Sequence, residues 1–396
     1  MQVNECVILA AGKGSRLDPI TRYRPKHLLP LAGRPLLVWQ LKFLAHVGIR
    51  RVVVVKHHLG NLIERVVRSA CKELRLDVEF IDQGKPLGTA HALGVVEGHV
   101  KPPFLMTYGD VTFTPGVIKD IIESLRHNPV PEAVMIAIRV RDPWNYGVLK
   151  LEEDKLVDLV EKPRKGEEPS NLINSGIYLF RSERIFDFIR ETKVSPRGEL
   201  ELTDSLKMMA KEHYVRVIPY EGKWWFDVGR SWDLLMANRF FFLFGDEERE
   251  RYYRIGERIS MTPPVYIGRD VIVEDEVQLG PYTVLCDGVK VGRGATVMNS
   301  ILLEGSEIGA RAKVSDSIIG SGAVIGEGTV IYSSWSDGGS VWTRVKGKLM
   351  DSGCSRLGAI VGDGSIIGRG AILVPGVVIM PNKVIEDGTL VIEDIL

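Results

Sequence analysis

The sequence predicts a three-layer α/β domain followed by a parallel β-helix, and three observations carry that expectation. At 396 residues the chain is too long for one ordinary domain. Up to about residue 239, short apolar strand patterns alternate with helical patterns, which implies parallel pairing through right-handed crossovers. From residue 263 the apolar period changes to six, a repeat that ordinary α/β sequence does not sustain.

The elements follow in order. Val7–Ala10 and Val52–Val55 read as short buried strands, with Pro35–Val47 as the amphipathic helix between them. Val78–Ile81, Phe104–Thr107 and Ala133–Ile138 read as further strands. Ligands of such sheets bind beyond the carboxyl ends of the strands, so a site belongs on the loops that leave them. The expected boundaries are 1–239 for this domain, 240–262 for a helical linker and 263–396 for the β-helix. Ser231–Phe244 suits a helix with Ser231 as N-cap, and the charged run GDEERERYYR follows it.

In the third segment Val265, Val271, Val277, Thr283, Val289, Ala295 and Ile301 fall every six residues. Two places on, Ile267, Val273, Leu279, Leu285, Val291, Val297 and Leu303 keep the same step, and Gly268, Gly280 and Gly292 share one phase. The pattern returns as Val361, Ile367, Leu373, Ile379 and Ile385. Each hexapeptide supplies one short strand of a triangular coil, with inward residues stacked and Gly and Asn turning the corners. Tyr332–Leu357 breaks the period and reads as a loop excursion, in which Trp335 and Trp342 anchor the loop or a subunit contact.

Composition excludes several classes. Lys plus Arg equals Asp plus Glu at 51 each, so the basic excess that nucleic-acid binding demands is missing. Four scattered cysteines form no CxxC pair and no metal-ligand spacing, which points to reduced thiols in a cytoplasmic protein. The N-terminus MQVNECVILAAG enters a strand at once, unlike a signal peptide. The aromatic run Phe240–Phe244 is too short to span a bilayer, so no membrane association is expected.

The first strand runs into Gly12-Lys13-Gly14-Ser15-Arg16-Leu17, with Lys26 ten residues beyond the arginine. A glycine-rich turn after a buried strand lets backbone N–H groups approach phosphates. A dinucleotide fingerprint needs a third glycine where Leu17 stands, and a Walker loop needs a terminal Gly-Lys-Ser/Thr that is not present. The run Gly12 to Thr21 with Pro25-Lys26 resembles, without a gap, the signature G-x-G-x-R-L-x-P-x-T-x-x-x-P-K of the sugar-1-phosphate nucleotidylyltransferases. The resemblance continues through Gln83 with Pro86–Ala90, Tyr108-Gly109-Asp110, Tyr146-Gly147-Val148 and Val160–Pro163. It extends to Asn174–Tyr178, Glu201–Asp204 and Phe226–Gly229.

That resemblance implies a Rossmann-like nucleotidyltransferase domain followed by a left-handed parallel β-helix. It implies an enzyme that joins a nucleoside triphosphate to a sugar 1-phosphate and releases pyrophosphate. Arg16 would hold the pyrophosphate bidentately, Lys26 would act as a point charge near the reacting phosphates, and Lys162 would neutralise the sugar phosphate. Asp110 and Asp227 would bind Mg²⁺, which takes one or two carboxylates and completes its shell with phosphate and water. The nucleotide would lie against Ala11, Gly12, Gly14, Gln83, Gly88 and Asp110, and the Gln83 amide favours UTP or dTTP. Gly147, Glu161 and Asn174 would face the sugar, a hexose or N-acetylhexosamine. A GTP-dependent mannose 1-phosphate enzyme and a non-catalytic paralogue that binds NDP-sugar remain as alternatives.

The second domain resembles that of archaeal bifunctional N-acetylglucosamine-1-phosphate uridylyltransferase/acetyltransferases, notably over Val345–Lys348 and Arg356–Asp363. Those enzymes use a histidine base in the coil, whereas all eight histidines here precede residue 214, and Lys313 and Asp316 stand at the corresponding stretch. A protonated lysine is a poor general base. The expected role of the coil is therefore assembly, as a homotrimer, and regulation rather than acetyl transfer.

Overall fold

The computed structural model describes residues 2–221, 224–244 and 253–396. The chain divides into two compact units, Met1–Lys13 with Leu36–Asp227, and Gly14–Pro35 with Val228–Leu396.

The first unit is built on β1 (Glu5–Ala10), α1 (Leu36–His46), β2 (Arg51–Lys56), α2 (Gly60–Leu74), β3 (Asp77–Asp82), α3 (Thr89–Gly94) and β4 (Phe104–Tyr108). It continues with α4 (Pro115–Glu123), β5 (Ala133–Arg139), β6 (Gly147–Glu152), β7 (Lys155–Glu161), β8 (Leu172–Phe180), α5 (Arg184–Glu191), α6 (Leu202–Glu212) and β9 (Val215–Glu221). All nine strands form one sheet in the order β3-β2-β1-β4-β8-β5-β9-β7-β6. Val7, Val53, Met106, Met135 and Tyr178 pack on one face with Leu93 of α3, Phe186 of α5 and Leu206 of α6. The alternate residues Ile8, Val52, Val54, Leu105 and Val134 are equally buried on the other face, where α1 meets α2 and α4. Burial on both faces explains why these strands read as continuous apolar runs.

β1 to β4 are parallel as expected, but the sheet as a whole is mixed. β8 runs antiparallel to β4 and β5, and β6 and β7 form an antiparallel hairpin. No α-helix separates β6, β7 and β8 along the chain, and strands joined without a crossover pair antiparallel.

In the second unit α7 spans Ser231–Phe241 and tightens into a 3₁₀ turn over Phe242–Phe244. Its N-cap is Arg230, whose backbone is still extended at φ −138°, so Ser231 is the first helical residue rather than the cap. The expected helical linker does not persist to residue 262. Residues 245–252 lie outside the described residues, and Tyr253–Ile255 already pairs in parallel with Val271–Val273, as Ser260–Met261 does with Gln278–Leu279. Those first strands are short and polar, so they carry little of the apolar period.

The coil is a left-handed parallel β-helix made of three parallel sheets of seven, seven and six strands. Val265 pairs with Thr283, three hexapeptides on. One coil later Val284 pairs with Ile301 and Leu285 with Leu302, so the expected phase of Ile301 and Leu303 slips by one residue. Asn299, at φ 43°, turns alone the corner that Pro281 and Tyr282, the latter at φ 59°, share one coil earlier. Corners are not reserved for Gly and Asn either, because Asp270, Glu276, Arg311 and Asp316 also adopt positive φ. Gly268 answers a different demand: a Cβ there would lie 2.8 Å from the Asp287 backbone nitrogen in the next coil.

The excursion forms an antiparallel hairpin of Trp342–Val345 with Lys348–Asp351. Trp335 and Trp342 are 43% and 52% exposed, so they do not anchor it within the chain. Thr343 Oγ1 donates to the Gly376 carbonyl at 2.6 Å, and Arg344 pairs with Asp394 at 2.7 Å. Arg356 reaches the buried Asp316 carboxylate at 2.9 Å. Asp316 also accepts from Asn299 at 2.6 Å and pairs with Arg239 of α7 at 3.4 Å. Asp316→Ala is expected to lower stability by about 1–3 kcal/mol, measured by urea unfolding. An unchanged midpoint would show that this hub contributes nothing.

Candidate active site

Parallel β1, β2, β3 and β4 deliver their carboxyl ends to one edge of the first unit, and three of the expected segments leave from it. Ala11 and Gly12 follow β1, with Ala11 buried and Gly12 exposed. Gln83 follows β3, and its backbone N–H donates to the Lys56 carbonyl at the end of β2. Gly109 follows β4 and donates to the Leu9 carbonyl of β1 at 2.8 Å, which places Asp110 beside the β1 terminus.

Gln83 is buried, and its Nε2 donates to the Gly88 carbonyl at 3.0 Å. Gly88 has φ 126°, and a Cβ on it would lie 2.4 Å from the Leu200 carbonyl oxygen. Leu200 in turn bonds the chain on both sides, from its N–H to Leu87 and from its carbonyl to Ala90. Gln83, Gly88 and the 200 segment thus form one hydrogen-bonded wall.

The two expected metal ligands are brought together. Val111, next to Asp110, forms an antiparallel bridge with Asp227. The Thr112 N–H donates to the Phe226 carbonyl at 3.0 Å, and the Phe226 N–H returns to Thr112 Oγ1 at 2.7 Å. Gln40 fixes the same turn from below, donating to the carbonyls of Tyr108 and Val111. Among the described residues no group of three or more His, Cys, Asp or Glu gathers into a metal cage. Asp110 and Asp227 nonetheless fit the expectation of an ion that takes one or two carboxylates and completes its shell with phosphate oxygens.

The expected sugar residues also converge. Gly147 faces Glu161 across the β6–β7 pair, and Ile173 of β8 pairs with Val148 of β6, bringing Asn174 alongside. A Cβ on Gly147 would lie 2.9 Å from Glu161 Oε2. Asn174 Oδ1 accepts from Tyr178 Oη at 2.7 Å and from the Gly176 N–H at 3.1 Å, which fixes its amide. Lys162 has φ 48° and donates its N–H to the Tyr146 carbonyl. The sequence reading missed Arg197 and Glu201, which complete this cluster. Arg197 pairs with Glu161 at 2.9 Å and with the buried Glu201 at 3.4 Å. Burial holds the Glu201 carboxyl above its ordinary range, against the pull of Arg197. The Glu201-Leu-Thr-Asp204 run was the available signal.

The remaining expected residues, Gly14, Arg16 and Lys26, belong to the second unit. Gly14 takes φ 69° ahead of the 3₁₀ turn Ser15–Leu17 and lies against the Lys26 side chain, 3.0 Å from a Cβ built on it. Thr21 Oγ1 closes the turn on the Gly14 carbonyl at 2.9 Å. The Arg16 guanidinium rests against Gly229, with Cζ 3.0 Å from a Cβ built there. Packed side chains therefore hold both cations on a short, internally bonded loop.

An α/β sheet with a glycine-rich loop leaving its first strand, an aspartate leaving the fourth and a second aspartate bridged to that turn is the frame of a nucleotide-handling transferase. The chain belongs to the nucleotidyl transferase family, which it matches over residues 5–242, and residues 261–393 match the GMPPB C-terminal domain. It is 34% identical to a bifunctional sugar-1-phosphate nucleotidylyltransferase/acetyltransferase of Sulfurisphaera tokodaii, over 90% of this chain and 89% of that one. It is 31% identical to the bifunctional protein GlmU of Methanocaldococcus jannaschii, over 91% and 88% of the two chains. Among solved structures, a UDP-glucose pyrophosphorylase complexed with UDP-glucose matches with a TM-score of 0.55 and 25% identity, covering 62% of this chain and all of the other.

Gly88→Ala forces a side chain into left-handed backbone against Leu200 and is expected to cost about 1–3 kcal/mol. Urea unfolding checks this. A variant as stable as the parent would mean that the wall is not closely packed.

Proposed function

We propose that this sugar-1-phosphate nucleotidyltransferase uses UTP or dTTP with a hexose or N-acetylhexosamine 1-phosphate, and works with Mg²⁺. The observation that carries the reading is the acidic pair Asp110 and Asp227, on bridged backbones at the edge where the Gln83–Gly88 wall ends. A sugar phosphate oxygen attacks the α-phosphorus, the new O–P bond forms, and the bond to the β-phosphate oxygen breaks in line. Both reactants are anions, so positioning and charge neutralisation supply most of the acceleration.

Each residue then has a chemical part. Asp110 and Asp227 hold the ion, which when bound neutralises charge on the reacting phosphates. Arg16 receives the departing pyrophosphate, Lys26 stands near the triphosphate, and Lys162 meets the sugar phosphate. Ala11, Gly12 and Gly14 offer close backbone approach, and the Gln83 amide reads a pyrimidine edge. Gly147 leaves room where Glu161 and Asn174 meet sugar hydroxyls or an N-acetyl group.

The coil supports assembly into a homotrimer rather than acetyl transfer. Residues 253–396 contain no histidine, and Asp316 is engaged by Arg239 and Arg356. Four free thiols, at Cys6, Cys71, Cys286 and Cys354, support a cytoplasmic setting. Among the described residues no helix is long and apolar enough to cross a membrane.

Pyrophosphate release with Mg²⁺, across five nucleoside triphosphates and the common sugar 1-phosphates, tests the assignment. Turnover with UTP or dTTP is the expected result. Turnover with GTP and mannose 1-phosphate alone would overturn the reading of Gln83, and release with no pair would favour a non-catalytic NDP-sugar binder. Arg16→Ala and Asp110→Asn are each expected to lower kcat about 10²–10³-fold with the circular dichroism spectrum unchanged. A lost spectrum would mean that these residues serve the fold instead.

A further inference from the structure

We propose that Arg24 is a positioning residue for nucleotidyl transfer, and that the coil is the template on which the phosphate-handling loop is set. The inference rests on the roles assigned above to Arg16 and Lys26. Arg24 stands two places before Lys26, with only 16% of its side chain exposed. Its Nη2 donates to Asp363 Oδ2 at 2.8 Å and to Ser321 Oγ at 2.9 Å. Ser321 Oγ in turn donates a hydrogen bond to Glu304 Oε2 at 2.8 Å, and the Ser321 N–H donates to Asp363 Oδ1 at 3.0 Å. Glu304, Ser321 and Asp363 follow the adjacent strands Ile301–Leu302, Ile318–Ile319 and Ile360–Val361, so they form one corner of three stacked coils.

That corner is rigid. A Cβ on Gly320 would lie 2.5 Å from the Asp363 nitrogen, and the Gly364 N–H donates to the Ser321 carbonyl at 2.9 Å. A second anchor lies beyond Lys26. The Ala32 N–H donates to Oδ1 of the fully buried Asn238 at 2.8 Å, and Gly33 lies so close to the Tyr266 ring that a Cβ would fall 2.1 Å from it. Between these anchors and the Gly14–Thr21 bond, the stretch that carries both cations has little freedom.

Stability alone is a poor account of Arg24. A buried ion pair roughly breaks even with an apolar replacement, and Arg24 Nη1 is buried without a hydrogen-bond partner. What a planar guanidinium with fixed donor directions supplies is register. A displacement of about 1 Å in a reacting group costs turnover by as much as 10²-fold, so fixing this loop acts on rate.

The test uses the full chain. Arg24→Ala, Asp363→Asn and their double variant are compared in pyrophosphate release and in thermal melting, with Lys290→Ala, which removes an exposed coil ion pair, as control. The expected result is a kcat lowered roughly 10- to 100-fold in each single variant, with KM for the sugar phosphate within about twofold and the double variant no worse than either single. Arg24→Lys keeps the charge without the fork. It is expected to melt like the parent with an intermediate kcat, and it carries the test if the alanine variant does not fold. Parental kcat in folded Arg24→Ala or Asp363→Asn, or losses that multiply in the double variant, would overturn the inference alone. Retained turnover in Arg16→Ala would overturn the underlying reading of the loop.

Discussion

Parallel pairing of β1 with β2 and β4 sets the direction in which the chain leaves the sheet, and the rest of the first unit follows from that. With three neighbouring strands pointing one way, Ala11, the turn after Lys56 and Gly109 emerge together. The backbone bonds from Gln83 to Lys56 and from Gly109 to Leu9 carry that alignment into the loops. Helices on both faces bury these parallel strands, which leaves the loops at their carboxyl ends as the accessible part. The acidic pair adds one more pairing, Val111 with Asp227. It joins two stretches of chain distant in sequence, and the side chains of Gln40 and Thr112 hold the same turn.

The antiparallel half does a different task with the same economy. β6, β7 and β8 meet through local turns, and their register sets Gly147 opposite Glu161 and Asn174 beside them. In the proposed reading, phosphate-handling residues follow the ends of parallel strands, whereas the residues proposed for the sugar lie on antiparallel ones. Arg197 spans Glu161 and Glu201, so these two carboxylates share one cation.

Legibility in the sequence follows the range of the interaction. Val52–Val55 is readable because burial on both faces leaves an unbroken apolar run. The coil is readable because each residue repeats the environment of one a coil away. The slip at Asn299 was not readable: Ile301, Leu302 and Leu303 are all apolar and all buried, so either register satisfies the pattern. β6 to β8 were passed over because their turns carry no helix to mark them. The expected site residues rest on the run Gly12–Lys26 and the motifs after it, which are local. Arg24 gave no such signal, since its partner Asp363 lies 339 positions away.

The membership of residues 14–35 in the coil unit bears on the order of synthesis. This segment leaves the ribosome before Asn238, Tyr266, Ser321 and Asp363, which follow it by more than two hundred positions. Domains ordinarily fold as they emerge, N-terminal first, and a contact across such a span must wait for its distant strand. The nine-stranded sheet can close around its own strands while the loop threaded out of it remains unset. A nascent chain thus pairs its nine strands before residues 14–35 can meet Ser321 and Asp363, and the setting of that loop waits on the coil.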